Sequence, residues 1–570
     1  MKRSPPSLAA RLLGRRLSGR ALSTVLSLLR TPALARAVSR LMATQLGLED
    51  LGRLGEAARR DPPLDVRPLA ARPPRTGDDQ HLGPLPVPQD WPIGCAALQA
   101  AYAAGATDPV AVLARLLRAA QGLGPRSPLC AAAPGAEEAA LASAERHRRG
   151  AARSPLDGIP VTIKEEIAIA GLPLRLGARF TSEAKATRDG TLVARLRAAG
   201  AVVAAQTKMT EYGLSPLGAS AQQSLPTNPH APGRAAGGSS TGAAVAVALG
   251  LGPLSIGGDG GGSIRIPAAL CGVFGLKPTF GRVPRTGDPL GGTLDHLGPL
   301  GASVQDLAAC LDVIGGPDPE DPATAWAPPQ PVSAMPAVGR GVRGLRIGVC
   351  DELWSECDAD IAHECTRALD RLCAEGASRV ALSLPLARHA VAIGALTFGG
   401  ELLSRLRPLM SDERLGPDLR ITLRLLAQLP LDAYVDAQRL RAALREELRD
   451  AFGQVDLVAL PTTATCATEL SEVEAGGLVD VAALEQVVRF TFLANLTGLP
   501  ALSAPVGERI VPGGVLPIGL QLLGDAWDEA TVLAAGAHLE RIGAARVRKP
   551  PRAVSLLAGQ GPEGPPPGNG

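Results

Sequence analysis

Along most of the chain, apolar positions fall into two alternating spacings. Residues 95–105 and 109–122 carry them at helical spacing, the second segment opened by Asp108 as N-cap with Pro109 in its first turn. A third helix, about 137–149, leads through a turn at Asp157-Gly158 into the apolar run 159–163, a strand ending near Lys164. Residues 189–199 form an amphipathic helix closed by Gly200, and 201–205 read as a short buried strand. Strand, helix, strand in that order predicts an α/β sheet. The alternation continues with a helix at 304–314, a Pro-rich loop over 317–336, a strand at 345–349 and a helix at 361–372. Several amphipathic helices occupy 386–452, strands follow at 455–460, 501–505 and 518–523, and a last helix covers 528–542.

The two ends depart from this pattern. The first 48 residues hold nine Lys or Arg and no Asp or Glu, with Leu8, Leu12, Leu13 and Leu17 at helical spacing. That composition fits an amphipathic helix lying on an anionic membrane, an organelle transit peptide or a solvated Arg-rich extension. The longest apolar run here, 21–29, is nine residues, short of the roughly 20 that a membrane span needs. Frequent proline and lost periodicity mark a linker after residue 60, and the Gly- and Pro-rich end reads as disordered. The expected organisation is a basic extension (1–60), a Pro-rich linker (61–90), one large domain (91–545) and a disordered tail (546–570).

Composition narrows the function classes. A net charge of +3 over 570 residues gives no electrostatic footprint for nucleic acid, and 2% aromatics leave no stacking platform for bases. Nine scattered cysteines without a CxxC pair argue against a disulfide framework or a zinc site and fit a reducing, cytoplasmic setting. The basic N-terminus offers membrane association or organelle targeting as the alternative. No cofactor or metal is expected.

The chemistry concentrates in 237–275, where twelve of 39 residues are glycine and an apolar run, 243–249, separates two glycine clusters. Ser263 follows Gly260-Gly261-Gly262, so successive N–H groups can face one concavity and stabilise the oxyanion formed when a hydroxyl attacks a carbonyl. Ser239 follows Gly237-Gly238 just before a helix at 241–249. Lys164, buried at a central strand, would lose its charge readily enough to act as a base, and no histidine lies near either serine in the sequence. Taken singly, each has a plainer explanation: a flexible turn, a helix N-cap, a snorkelling lysine.

Together these residues resemble the amidase signature family over about 91–541. GGSSTGAAVAVALG and DGGGSIRIPAALCGVFGLKPTFGRVP are the most specific matches, with PLDGIPVTIKEEIAIAG upstream and VDLVALPTTAT, ANLTGLPALSAPVG and LPIGLQLLGDAWDEATVLAAG downstream. The resemblance implies a single large α/β domain with an open, twisted mixed β-sheet flanked by helices on both faces. It implies Ser263 as nucleophile forming an acyl-enzyme, Ser239 on a cis peptide relaying the proton, and Lys164 as base. The oxyanion hole would be the N–H groups of Gly260, Gly261, Gly262 and Ser263. Ser240, Asp259 and Arg265 would support the site, with Arg234 behind the Ser239 loop. The substrate pocket would come from about 385–450 and 287–300, where Phe398, Leu402, Leu403 and Leu406 form a stripe that suits an apolar group or simply core.

Two positions depart from the family pattern. Glu165-Glu166 follow Lys164, and strand alternation puts Glu166 on the lysine's side, where a carboxylate favours the charged form and opposes its use as a base. Gly260 stands where Thr is frequent, which adds flexibility and widens the pocket. The implied activity is hydrolysis of a small-molecule amide to an acid plus ammonia or an amine, by a chain that acts alone or as a homodimer. The alternatives are the glutaminase subunit of a tRNA-dependent amidotransferase, which needs partner subunits, and a non-catalytic binding protein of the same fold.

Overall fold

Strand β2 (Pro160–Lys164) is buried at all five positions, as an apolar run must be when helices cover both faces of a sheet. The computed structural model describes residues 16–48, 51, 54, 69, 81–87, 91–181, 183–328 and 333–557. Numbered along the chain, the sheet strands are β1 (Leu129–Ala132), β2, β3 (Val202–Thr207), β4 (Leu254–Asp259), β5 (Phe274–Lys277), β6 (His296–Gly301), β7 (Arg346–Val349), β8 (Ser378–Ala381), β9 (Leu457–Pro461), β10 (Ala501–Val511) and β11 (Gly514–Gly524). They form one mixed sheet of 11 strands in the order β1-β3-β2-β4-β6-β5-β10-β11-β9-β7-β8, flanked by helices. β2 pairs in parallel with both β3 and β4, and β4 pairs antiparallel with β6 in the register Asp259↔His296.

Of these strands, β1, β4, β5, β6 and β8 are unmarked by the hydrophobic pattern. β4 reads Leu-Ser-Ile-Gly-Gly-Asp, and glycine erases the side-chain alternation by which a strand is recognised. β10 and β11 run six and four residues past the expected 501–505 and 518–523, counting from Pro505 to Val511 and back from Ile518 to Gly514. Their outer arm carries Glu508 and Arg509, and the register shifts between Pro505 and Gly507. Polar residues on a projecting hairpin resemble a loop until the partner strand is seen. The helix Thr241–Ala248 is buried at every position, and a Cβ on Gly242 would stand 2.5 Å from the Pro128 carbonyl oxygen. This helix therefore lies against the loop leading into β1 at glycine's closeness.

The structure redraws the expected ends. Leu17 is not helical: Leu17–Ser18 pairs antiparallel with Leu478–Val479, while Leu8, Leu12 and Leu13 lie outside the described residues. Helices Arg20–Leu28 and Pro32–Gln45 turn their apolar faces inward, burying Leu22, Val25, Val38 and Met42 against Ile421 and Leu425. Arg20, Arg30, Arg36 and Arg40 are exposed on the outside, so lipid contact by these two helices would have to use a basic face. No helix among the described residues is long and apolar enough to cross a membrane. Most of the 61–90 linker falls outside the described residues, but Leu82 and Arg541 tie 82–84 to the domain. The tail begins later than residue 546. Arg546 and Val554 bond the Pro505 and Leu249 carbonyls and Leu556 is buried, and the expected disorder beyond 557 lies outside the described residues.

Several carboxyl groups are held in the fold by packing. Burial pushes Glu211 and Glu540 up to about 8, and Asp306 and Asp418 up to about 6. An acid whose folded value lies above its unfolded value of about 4 binds more protons when native, so its contribution to stability is complete below about pH 4 and is lost as pH rises. Thermal unfolding is therefore expected to shift to lower temperature as the pH is raised from about 5 to 8, with the steepest fall between about 5 and 6, where all four groups contribute, and a gentler one from 6 to 8, where Glu211 and Glu540 remain. Glu540→Gln should flatten that slope. A melting temperature that climbs over the same range would contradict the assignment.

Candidate active site

β2 delivers Lys164 to the buried end of a cavity, with 1% of its surface exposed. Its Nζ donates to Ser239 Oγ at 2.8 Å and lies 3.4 Å from the Gly258 carbonyl oxygen and 3.0 Å from Glu166 Oε1. Ser239 sits two residues before the helix Thr241–Ala248, after a cis Gly238–Ser239 peptide bond. Ser240 acts as a strut beside it. Its Oγ donates to the Gly258 oxygen at 3.1 Å, and its N–H donates to the Ser263 carbonyl at 3.2 Å, joining the two serine loops.

Ser263 stands between β4 and the helix Arg265–Cys271 and lines the cavity with Lys164, Ser239, Gly260 and Gly261. Its hydroxyl makes no hydrogen bond to Ser239 among the described residues, and catalytic contacts of this kind commonly tighten only around substrate. Gly262 does not belong to the expected oxyanion hole. Its N–H donates to Asp259 Oδ1 at 2.7 Å, and it is absent from the cavity lining. Gly260, Gly261 and Ser263 do face that space.

A fully buried ion pair fixes this loop. Arg265 Nε and Nη2 grip Asp259 at 3.0 and 2.9 Å, and the guanidinium also donates to the Thr491 carbonyl, Gln521 and Asn495. Buried charges need such complete pairing. Although burial opposes it, that pairing holds the Asp259 carboxyl well below the usual range. Arg234 lies elsewhere: it reaches Glu469 at 3.2 Å and the Ala467 carbonyl. It thus fastens its loop to 467–469 and touches neither serine.

The two glutamates after Lys164 diverge. Glu165 turns away, accepting from Met209 N–H at 3.1 Å and Gln223 at 2.6 Å. Glu166 faces the lysine, as strand alternation predicts, and a Cβ on Gly258 would fall 1.9 Å from its Oε1. The segment 287–300, expected to contribute to the pocket, supplies carboxyl groups around it that sequence reasoning did not single out. Asp288 and Asp295 line the same cavity. Burial and then the Glu166 charge push Asp288 well up, and burial and then Glu401 push Asp295 to about 7. Gly260 does not widen the pocket, because a Cβ there would meet Asp295 Oδ1 at 2.3 Å. His296 also enters the lining, brought by the β4–β6 pairing; burial holds it well below its ordinary value, and neither serine bonds to it. No spacing in the sequence marks Asp288, Asp295 or His296 as neighbours of Lys164.

The cavity extends beyond the serines, its lining running from Lys164 and Ser263 out to Phe398, Leu402 and Leu484. Phe398 and Leu402 from the expected stripe line it, whereas Leu406 is buried in a side cluster with Leu415 and Leu419. Arg405 and Glu401 add charge to a largely apolar wall.

The amidase family model matches residues 111–533. A glutamyl-tRNA(Gln) amidotransferase subunit of Chloroflexus aggregans is 36% identical over 444 residues, 72% of this chain and 89% of that one. A solved chain from a vestigial protein complex, reported in connection with the origins of an s-triazine catabolic enzyme, superposes with a TM-score of 0.72 at 32% identity, over 80% of this chain and 100% of that one. The peptide amidase of Stenotrophomonas maltophilia gives 0.67 at 29%, over 82% and 99%. With that breadth of match added to a lysine, two serines and a glycine-lined cavity, the chain belongs to the amidase signature family.

Proposed function

We propose that the chain is an amidohydrolase that cleaves a carboxylic acid amide through an acyl-Ser263 intermediate. The 2.8 Å contact from buried Lys164 to Ser239, in the cavity that holds Ser263, carries this reading. Ser263 Oγ attacks the carbonyl carbon while its proton passes through Ser239 to neutral Lys164. The oxyanion is received by N–H groups beside Gly260 and Gly261. Collapse breaks the C–N bond as the relay returns the proton to the leaving nitrogen, and water then attacks the acyl group by the same route. A panel of aliphatic, aryl, lipid and peptide amides tests this, with release of ammonia or amine expected for at least one class. Inactivity across the panel, with no covalent labelling by a serine-directed probe, would overturn it.

A second reading has its own support: the Chloroflexus relative belongs to a glutamyl-tRNA(Gln) amidotransferase. In that case glutamine is the amide, and protein partners receive its ammonia. Glutamine turnover that exceeds every other amide and appears only with partner subunits would favour this reading.

A further inference from the structure

The N-terminal helices do more than cover the domain. Met42 and Leu46 line the same cavity as Lys164, Ser239 and Ser263, although more than 100 residues separate them from the first of these in sequence. At that end the wall is completed by Leu425, Leu426, Val481 and Leu484. The segment is held there by several independent contacts. Leu17–Ser18 pairs with Leu478–Val479, and Arg16 Nε lies 3.0 Å from Glu474 and 3.3 Å from Asp480. Ser39 Oγ donates to the Leu425 carbonyl at 3.0 Å, and Arg424 to the Leu26 carbonyl at 3.0 Å. Polar bonds that fix both partners of a cavity wall give that wall a defined shape, which a selective pocket requires.

The chemistry of the cavity is divided along its length. Lys164, Glu166, Asp288, Asp295 and the serines gather where β2 and β4 end. At the end formed with the N-terminal segment, Met42, Leu46, Leu425, Leu426, Val481 and Leu484 present methyl and thioether surface, with Asp418, Thr422 and the Arg16-paired Asp480 among them. We propose that residues 16–48 form the outer wall of the acyl channel, and that Met42 and Leu46 select amides carrying an extended apolar acyl chain. The inference rests on the amidohydrolase reading for the direction in which the amide lies, with its carbonyl at Ser263 and its chain toward Leu46.

The test uses straight-chain primary alkanamides from acetamide to dodecanamide with the full-length protein. Their binding is measured by calorimetry on Ser263→Ala protein, and their turnover on protein with Ser263 intact. Each methylene that enters an apolar channel tightens binding by about three- to fourfold, so affinity is expected to climb with length and then level off. Leu46→Trp should move that plateau to shorter chains and Leu46→Ala to longer ones, with acetamide binding unchanged in both. A merely structural role for the N-terminal segment would weaken all lengths alike. Affinity independent of chain length, or a plateau that stays in place in both Leu46 variants, overturns the inference. Binding that follows the expected pattern without any turnover sustains the channel assignment and rejects the amidohydrolase reading instead.

Discussion

Ser263→Ala is expected to abolish covalent labelling by a fluorophosphonate and to lower amide turnover by about 10⁴-fold or more, the usual consequence of deleting the nucleophile from a relay. The fold should be unaffected, because what ties this residue to its neighbours is backbone: its carbonyl accepts from Ser240 N–H at 3.2 Å. Intact-mass measurement of the adduct and turnover in the same preparation decide the point. A single adduct on the wild-type chain and none on the variant is the expected pair. An adduct of equal yield on the variant would move the nucleophile to another residue, and Ser239, 2.8 Å from Lys164, would be the first to examine. Residual turnover above the uncatalysed rate is compatible with the assignment, since Gly260 and Gly261, the proposed oxyanion donors, still line the cavity.

What could be read from the sequence, and what could not, divides along physical lines. Helices were legible because their apolar spacing and caps are local: Asp108 accepts from Ala111 N–H at 2.8 Å, as its place before Pro109 predicts. The strand that carries the reactive loop was not. β4 needs Gly257 and Gly258 because Ser240 and Glu166 press against it, at 2.8 and 1.9 Å from where Cβ atoms would be. Tertiary packing thus selected the residues that hide the strand. Lys164, Ser239 and Ser263 were recognisable through motifs around each of them. Asp288, Asp295 and His296 fall in the segment 287–300 expected to line the pocket, but nothing in the sequence marks which of its side chains face the lysine; the pairing of β6 with β4 brings that segment there. The N-terminal segment shows the same limit. Its basic, leucine-rich composition fits a membrane surface as well as it fits the flank of its own domain, and the apolar partner, Ile421 and Leu425 among it, lies nearly 400 residues away.

Lys164 and Glu166 form a pair whose two members can be separated by experiment. Lys164→Met is expected to reduce turnover by about 10²- to 10⁴-fold, the range for loss of a positioned base. It should also destabilise the protein by about 3–5 kcal/mol, because it leaves a buried carboxylate without its counter-charge, in a cavity it shares with Asp288 and Asp295. Adding Glu166→Gln to that variant removes the stranded charge, so the double variant should regain most of the lost stability and none of the activity. The single Glu166→Gln variant acts in the opposite direction on catalysis. Glu166 Oε1 stands 3.0 Å from the same lysine nitrogen that lies 2.8 Å from Ser239 Oγ, and so competes with the serine for it. Removing the carboxylate should therefore raise kcat with little change in KM. Turnover of the parent and the Glu166→Gln variant under the same conditions decides between a brake and a helper. A variant whose kcat is unchanged or falls would show that Glu166 supports the proton relay instead of restraining it.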